Sequence, residues 1–164
     1  MILGMSTATF TLVHVIISLI GIASGFIVLF GLLNANRFDG WTALFLTTTV
    51  LTSVTGFLFP TTVILPSQIV GVISLVALGI AIFALYRSHL AGAWRWVYVT
   101  SALFALYLNV FVGVVQSFQK LAFLKPLAPT QSEAPFLIAQ LVVMGLFVLL
   151  GILAVKKFHP QMVA

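Results

Sequence analysis

Residues Thr42–Pro60 read TALFLTTTVLTSVTGFLFP, an apolar run interrupted by six threonines and one serine. Whether this stretch crosses a bilayer decides between a five-helix and a four-helix architecture. Threonine and serine hydroxyls bond back to a carbonyl one turn earlier on a helix, so they are tolerated at lipid depth. Pro60 and Pro66 bracket a turn before the next apolar run, because proline disfavours helix in the residue before it. The stretch therefore reads as a spanning helix, with four spans as the alternative if it fails to cross.

The flanking sequence supplies the solvent. Of 164 residues, 62% are hydrophobic and 5% charged, and the mean hydropathy is +1.28. A soluble domain carries about a quarter charged residues, and this chain has too few to cover a water-facing surface. A spanning helix needs about 20 mostly apolar residues. Five segments meet that need: Thr9 to Leu33, Trp41 to Phe59, Pro66 to Tyr86, Trp94 to Gln119 and Pro135 to Val155. The predicted fold is an all-α, polytopic five-helix transmembrane bundle occupying residues 1–164 as a single domain. The connectors are short, the longest being KLAFLKPLAPTQSEA.

Basic residues set the orientation, since Lys and Arg accumulate in cytoplasmic loops. Arg37, Arg87, Arg95, Lys156 and Lys157 fall on one side, and Lys120 and Lys125 on the other with Glu133. That asymmetry predicts a multi-pass protein of a plasma membrane, of the bacterial inner-membrane type, with its N-terminus outside and its C-terminus cytoplasmic. Trp41, Trp94, Trp96 and Tyr98 sit at segment ends on the cytoplasmic side, where amphipathic rings favour the headgroup layer. The opening MILGMSTATF has no basic residue ahead of its apolar run, and that run is too long for a signal-peptide core, so the first segment is expected to be retained.

The net charge is +5, but the basic residues are scattered at the ends of apolar runs, forming no patch that would bind nucleic acid. The lipid bilayer is the expected partner. There is no cysteine, which excludes disulfides, thiol redox centres and thiolate metal sites. Asp39 and Glu133 are the only acids and fall on opposite sides, which leaves no carboxylate pair for hydrolysis. No zinc-protease motif, phosphate-cradling loop or nucleophile elbow is present. The spans hold no acid to couple ions to transport.

What remains is a set of amides, hydroxyls and one histidine. At about 100° per residue, Tyr98, Ser101, Asn109, Gln116 and Lys120 share roughly one third of the fourth helix. Phe104, Tyr107, Leu108, Phe111, Val114, Val115 and Phe118 occupy the other side, the natural lipid face. On the first helix Thr11, His14, Ser18, Gly21 and Gly25 make a second stripe, whose small residues permit close backbone approach. Under the assigned orientation His14, Thr52, Thr55, Gln68, Asn109, Gln116 and Gln140 fall in the outer half of the bilayer. Two readings stand side by side. These groups are interhelical hydrogen bonds, worth about 0.6 kcal/mol each, or they line a polar cavity for a small molecule or a passive route.

The cavity reading names His14, Thr52, Asn109, Gln116 and Gln140 as ligand-binding residues, with Lys120 and Lys125 at the mouth or as interfacial anchors. The competing role is an accessory or structural subunit whose small-residue stripes dock another membrane protein or a second copy. A third is a haem or enzymatic protein, in which His14 would pair with Met144 or with a second His14 across a dimer. No residue pattern names a cofactor or a metal ligand set.

The size and five-span layout are similar to those of the tryptophan-rich sensory protein family of small porphyrin- and lipid-binding membrane proteins. The Trp and Pro motifs of that family's pocket have no counterpart, because Trp41, Trp94 and Trp96 lie at the interface away from the polar cluster. The resemblance covers the layout alone and carries over no residue.

Overall fold

The computed structural model describes residues 1–160. It consists of α1 (Thr7–Leu33), α2 (Asp39–Gly56), α3 (Pro66–Ile82), α4 (Trp94–Lys120) and α5 (Ala134–Lys157). A π-helical turn, Phe83–Arg87, continues α3, and a short 3-10 turn, Lys125–Leu127, lies between α4 and α5. Local chemistry explains the boundaries. The Ser6 hydroxyl caps α1 by accepting from Thr9 N–H at 3.1 Å, as a serine N-cap does. Asp39 opens α2 two residues before the tryptophan at which the apolar run begins. Its carboxylate sits in the first turn, where the helix dipole favours it, and it pairs with Arg37 Nε at 3.0 Å. Pro66 begins α3, and Gln68 Oε1 accepts from the Leu65 N–H at 3.1 Å.

Four helical stretches are long and apolar enough to cross a membrane: Thr7–Leu33, Pro66–Arg87, Trp94–Lys120 and Ala134–Lys157. The threonine-rich α2 is the exception, and its place is set by packing. Its 18 residues extend about 27 Å at ~1.5 Å each, close to the thickness of a hydrocarbon core. It runs antiparallel to α1 over its whole length. His14 bonds Thr55, while Gly21 abuts Thr48 and Thr49, Gly25 abuts Phe45, and Gly31 abuts Phe38. Whatever layer α1 occupies, α2 occupies with it. Three of its hydroxyls are satisfied within the helix: Thr48, Thr52 and Thr55 donate to the carbonyls of Leu44, Thr48 and Leu51 at 2.7, 2.8 and 2.7 Å.

The helices alternate in direction, which collects the basic residues into two ends. Arg37, Arg87, Arg95, Lys156 and Lys157 mark one end, and Lys120 and Lys125 the other. The half nearer Arg95 is solidly packed. Val28, Leu32, Phe45, Leu78, Ala81, Tyr98, Val99 and Leu106 form a continuous buried cluster drawn from α1 to α4, and α5 adds Ala154 to it. Arg95 closes that end by donating from Nη1 to the carbonyls of Val155 and Phe158 at 2.7 and 2.6 Å. These carbonyls lie at the end of α5, where the helix itself supplies no donors.

The side of α4 expected to face lipid is instead largely covered by α5. Tyr107 packs on Phe147 with ring centroids 5.7 Å apart, and Phe118 meets Phe136 edge to face at 5.5 Å. Leu108 and Phe118 are buried, and Phe104 alone of the seven remains strongly exposed. The hydrophobic surface facing outward includes α5, whose Leu141, Leu146, Val148 and Leu149 are all more than half exposed, and parts of α1 and α3, where Leu12 and Val76 are equally so.

Candidate functional site

The half nearer Lys120 is hollow. A cavity of about 630 Å³ lies among α1, α2, α3 and α4, with walls that include His14, Ser18, Thr52, Asn109, Gln116 and Lys120. Four of the five candidate residues, His14, Thr52, Asn109 and Gln116, share this space. The sequence spacing explains why. His14 and Ser18 lie one turn apart on α1, Asn109 and Gln116 two turns apart on α4, and in each case the side chains project to the same helix face.

The cavity has a defined floor. At Gly21 an added Cβ would lie 3.2 Å from each of Asn109 Nδ2, Thr48 Oγ1 and Thr49 Oγ1, so the absent side chain lets three polar groups converge from two other helices. One turn deeper, at Gly25, the neighbours are Leu106 and Phe45, and the space is closed. On the α3 side, Ser53 and Ser74 hydroxyls bond across α2 and α3 at 3.3 Å. The wall between α1 and α4 is thin. Gly113 faces only Ile22 Cδ1, 3.7 Å from where a Cβ would stand. Leu19, 59% exposed on the outside of α1, also borders the cavity.

Most hydroxyls here already spend their single proton on helix carbonyls: Ser18 on Val15, Thr52 on Thr48, Ser53 on Thr49 or Ser74, and Ser117 on Gly113. The donors left on the wall include the Gln116 amide, the Lys120 ammonium and the hydroxyls of Ser67 and Ser74. Asn109 Nδ2 is buried without a partner, and neither the Gln116 amide nor Lys120 makes a side-chain bond to another described residue. His14 is held from below, with Nδ1 2.7 Å from Thr55 Oγ1, and from the side by the Phe59 ring, edge to face at 5.2 Å. Lys120 is the sole charged group on the wall. Of the two acids, Asp39 pairs with Arg37 at the opposite end. Glu133 lies on the loop before α5, where the Thr130 hydroxyl, at 2.8 Å, holds its carboxyl below the usual range. The cavity thus offers donors and positive charge to a ligand's oxygen atoms, and apolar walls of Ile22, Phe59, Val112 and Leu121 to the remainder.

Gln140 does not join them. It lies buried between α5 and α4, where Nε2 donates to the Phe111 carbonyl at 3.3 Å and Oε1 has no partner. The sequence placed it with the cavity group, but α5 packs on the side of α4 away from the cavity. A long bond and an orphaned carbonyl contribute little, since a buried unpaired acceptor carries a desolvation cost of about 1–3 kcal/mol. Gln140→Met is therefore expected to leave the melting midpoint unchanged or raised, and to leave any ligand in the cavity in place. A sharp drop in midpoint would show the amide to be a necessary bond.

Met144 is also elsewhere, on an apolar groove of about 530 Å³ between α4 and α5 with Tyr107, Phe147 and Lys156. A pairing of His14 with Met144 on one haem is thereby excluded within a chain. No cluster of three metal-ligating His, Cys, Asp or Glu side chains occurs among the described residues. The residues that sequence reasoning passed over are Thr55, read only as a polar group at outer depth, and Gly113 and Phe59, which carried no polar signal.

No protein-family model, curated protein or solved structure matches the chain. Its composition and architecture together make it a multi-pass, all-α membrane protein built from five helices.

Proposed function

We propose that the protein binds a small amphipathic molecule within the membrane, in the cavity among α1, α2, α3 and α4. The observation that carries this reading is the gathering of His14, Thr52, Asn109, Gln116 and Lys120 around one space of about 630 Å³, with Asn109 Nδ2 buried and unpartnered at its floor. Interhelical bonding alone would pair these groups with one another. Instead, the Gln116 amide and the Lys120 ammonium on its wall make no side-chain bond to another described residue. The volume falls within the range of pockets that hold small organic ligands. The basic-residue asymmetry orients the cavity toward the outer leaflet of a plasma membrane, bacterial in type, with the C-terminus cytoplasmic. The thin wall between α1 and α4 supports entry from the lipid side.

The closed core beneath Gly21 and Gly25 favours binding over passive permeation, because a route through would have to part Phe45 from Leu106, which are 1% and 0% exposed. Docking to another membrane protein or a second copy is the competing role, supported by the outward face of α5.

Native mass spectrometry from the protein's own membrane separates these readings. The wild type is expected to retain a small molecule that the double variant Asn109→Leu, Gln116→Leu, folded and monodisperse, has lost. Retention of the same molecule by the folded double variant would refute the cavity reading. A stable larger complex without any small molecule would favour docking.

A further inference from the structure

The hydrogen bonds beneath His14 determine which ring nitrogen carries its proton, and so which ligands the cavity accepts. Thr55 Oγ1 lies 2.7 Å from the Leu51 carbonyl oxygen and 3.2 Å from that of Thr52. A carbonyl has no proton to offer, so an oxygen pair at 2.7 Å requires the hydroxyl proton between them. Thr55 has only that one. Its 2.7 Å contact with His14 Nδ1 must then be donated by the imidazole, with the hydroxyl oxygen accepting. A neutral imidazole has a single N–H, which leaves Nε2 with a bare lone pair.

The surroundings keep the ring in that form. The groups that share the cavity with it are Ser18 on its own helix, Thr52 and Gly56 on α2, Phe59 after α2, Ser67 and Gln68 on α3, and Asn109, Gln116 and Lys120 on α4. None is an anion that would hold an imidazolium. Nε2 itself makes no hydrogen bond to any described residue. It is also absent from the fully enclosed unpartnered atoms, which are Thr49 Oγ1, Asn109 Nδ2 and Gln140 Oε1. Nε2 is thus not fully enclosed, and His14 stands on the cavity wall.

We propose that His14 Nε2 is an acceptor that reads a hydroxyl group, so that the cavity takes an amphiphile with a hydrogen-bond-donating head, of the phenol or alcohol class, and discriminates against its O-alkylated counterpart. This inference rests on the binding reading above. The same hydroxyl oxygen accepts from the Gln116 amide, while Phe59, Ile22, Val112 and Leu121 cover the apolar part. Thr55 is a positioning residue, acting only through the tautomer it imposes.

Two measurements test this in lipid nanodiscs. The first needs no ligand. In protein with His89 and His159 replaced by glutamine, nitrogen-15 NMR of labelled histidine should show His14 protonated at Nδ1 and bare at Nε2. Thr55→Val, which keeps the shape and removes the acceptor, should release that preference. A proton on Nε2 in the protein with Thr55 intact would overturn the proposal.

The second compares para-octylphenol with its methyl ether, para-octylanisole, which has the same shape without the donor. The phenol is expected to bind about tenfold more tightly, the worth of roughly one hydrogen bond. In Thr55→Val the preference should vanish or reverse, because Nε2–H is then a donor. Equal binding of both probes to the wild type, abolished by blocking the cavity, would sink the hydroxyl inference while sparing the binding function. Saturable binding of neither would sink the inference, and if the native protein also carried no small molecule, the binding function with it. A preparation that takes up haem through His14 would likewise overturn the assignment of Nε2 to a hydroxyl.

Discussion

Gly25→Leu is expected to abolish the folded bundle. The Cβ alone would stand 2.5 Å from Leu106 Cδ1 and 3.0 Å from two ring carbons of Phe45, distances that require the neighbours to move. Leu106 comes from α4 and Phe45 from α2, and both are almost wholly buried, so neither has free space to retreat into. Overpacking by a methyl or two in such a site costs about 1–3 kcal/mol. Leucine adds three more carbons and must separate α1 from two helices at once, against a total stability that for folded proteins is about 5–15 kcal/mol. Gly79→Leu serves as the control, because nothing lies within 4 Å of its Cβ position. The expected result is loss of the monodisperse species for Gly25→Leu and an unchanged melting midpoint for Gly79→Leu. Equal midpoints for both would show that the half nearer Arg95 is not the packed unit described above.

The second large effect comes from a glycine in the opposite situation. Gly113 borders the cavity, and its Cβ would meet a single atom, Ile22 Cδ1, at 3.7 Å. Gly113→Phe is expected to place its ring in the empty space, removing the bound molecule without unfolding the protein. Filling a void returns contacts that its lining otherwise lacks, so the melting midpoint should hold or rise. Native mass spectrometry should then report the bare chain. A folded Gly113→Phe protein that still carries the wild-type small molecule would place that molecule outside this cavity. The two substitutions, both of glycine on a helix, thus have opposite expected outcomes, and the difference lies entirely in what surrounds each Cα.

Much of this was legible in the sequence for a physical reason. Lipid forces backbone bonds to close within each segment, so long apolar runs translate directly into helices, and five runs became five helices. Helical periodicity also placed Asn109 with Gln116 and His14 with Ser18, because each pair depends on one helix alone. Azimuth relative to a neighbour is a different matter. Tyr107, Phe111 and Phe118 looked like a lipid face, and nothing in their pattern reveals that α5 settles against them. The same blindness put Gln140 with the cavity group. Its depth follows from counting residues along α5, whereas its direction depends on which side of α4 that helix chooses. The protonation of His14 was out of reach entirely, since it depends on a threonine 41 residues later whose hydroxyl is engaged by its own helix.

The threonine-rich α2 has a consequence for how the protein is made. A segment of such modest hydropathy does not partition well from the translocation machinery into lipid by itself, where each residue contributes to the transfer free energy. Beside α1 it has Gly21, Gly25 and Gly31 to press against, and the hydroxyls of Thr48, Thr52 and Thr55 have their own carbonyls to occupy them. The first two helices are therefore expected to enter the bilayer as one hairpin, with the more apolar member escorting the other. Biogenesis of everything downstream inherits its sidedness from that paired step.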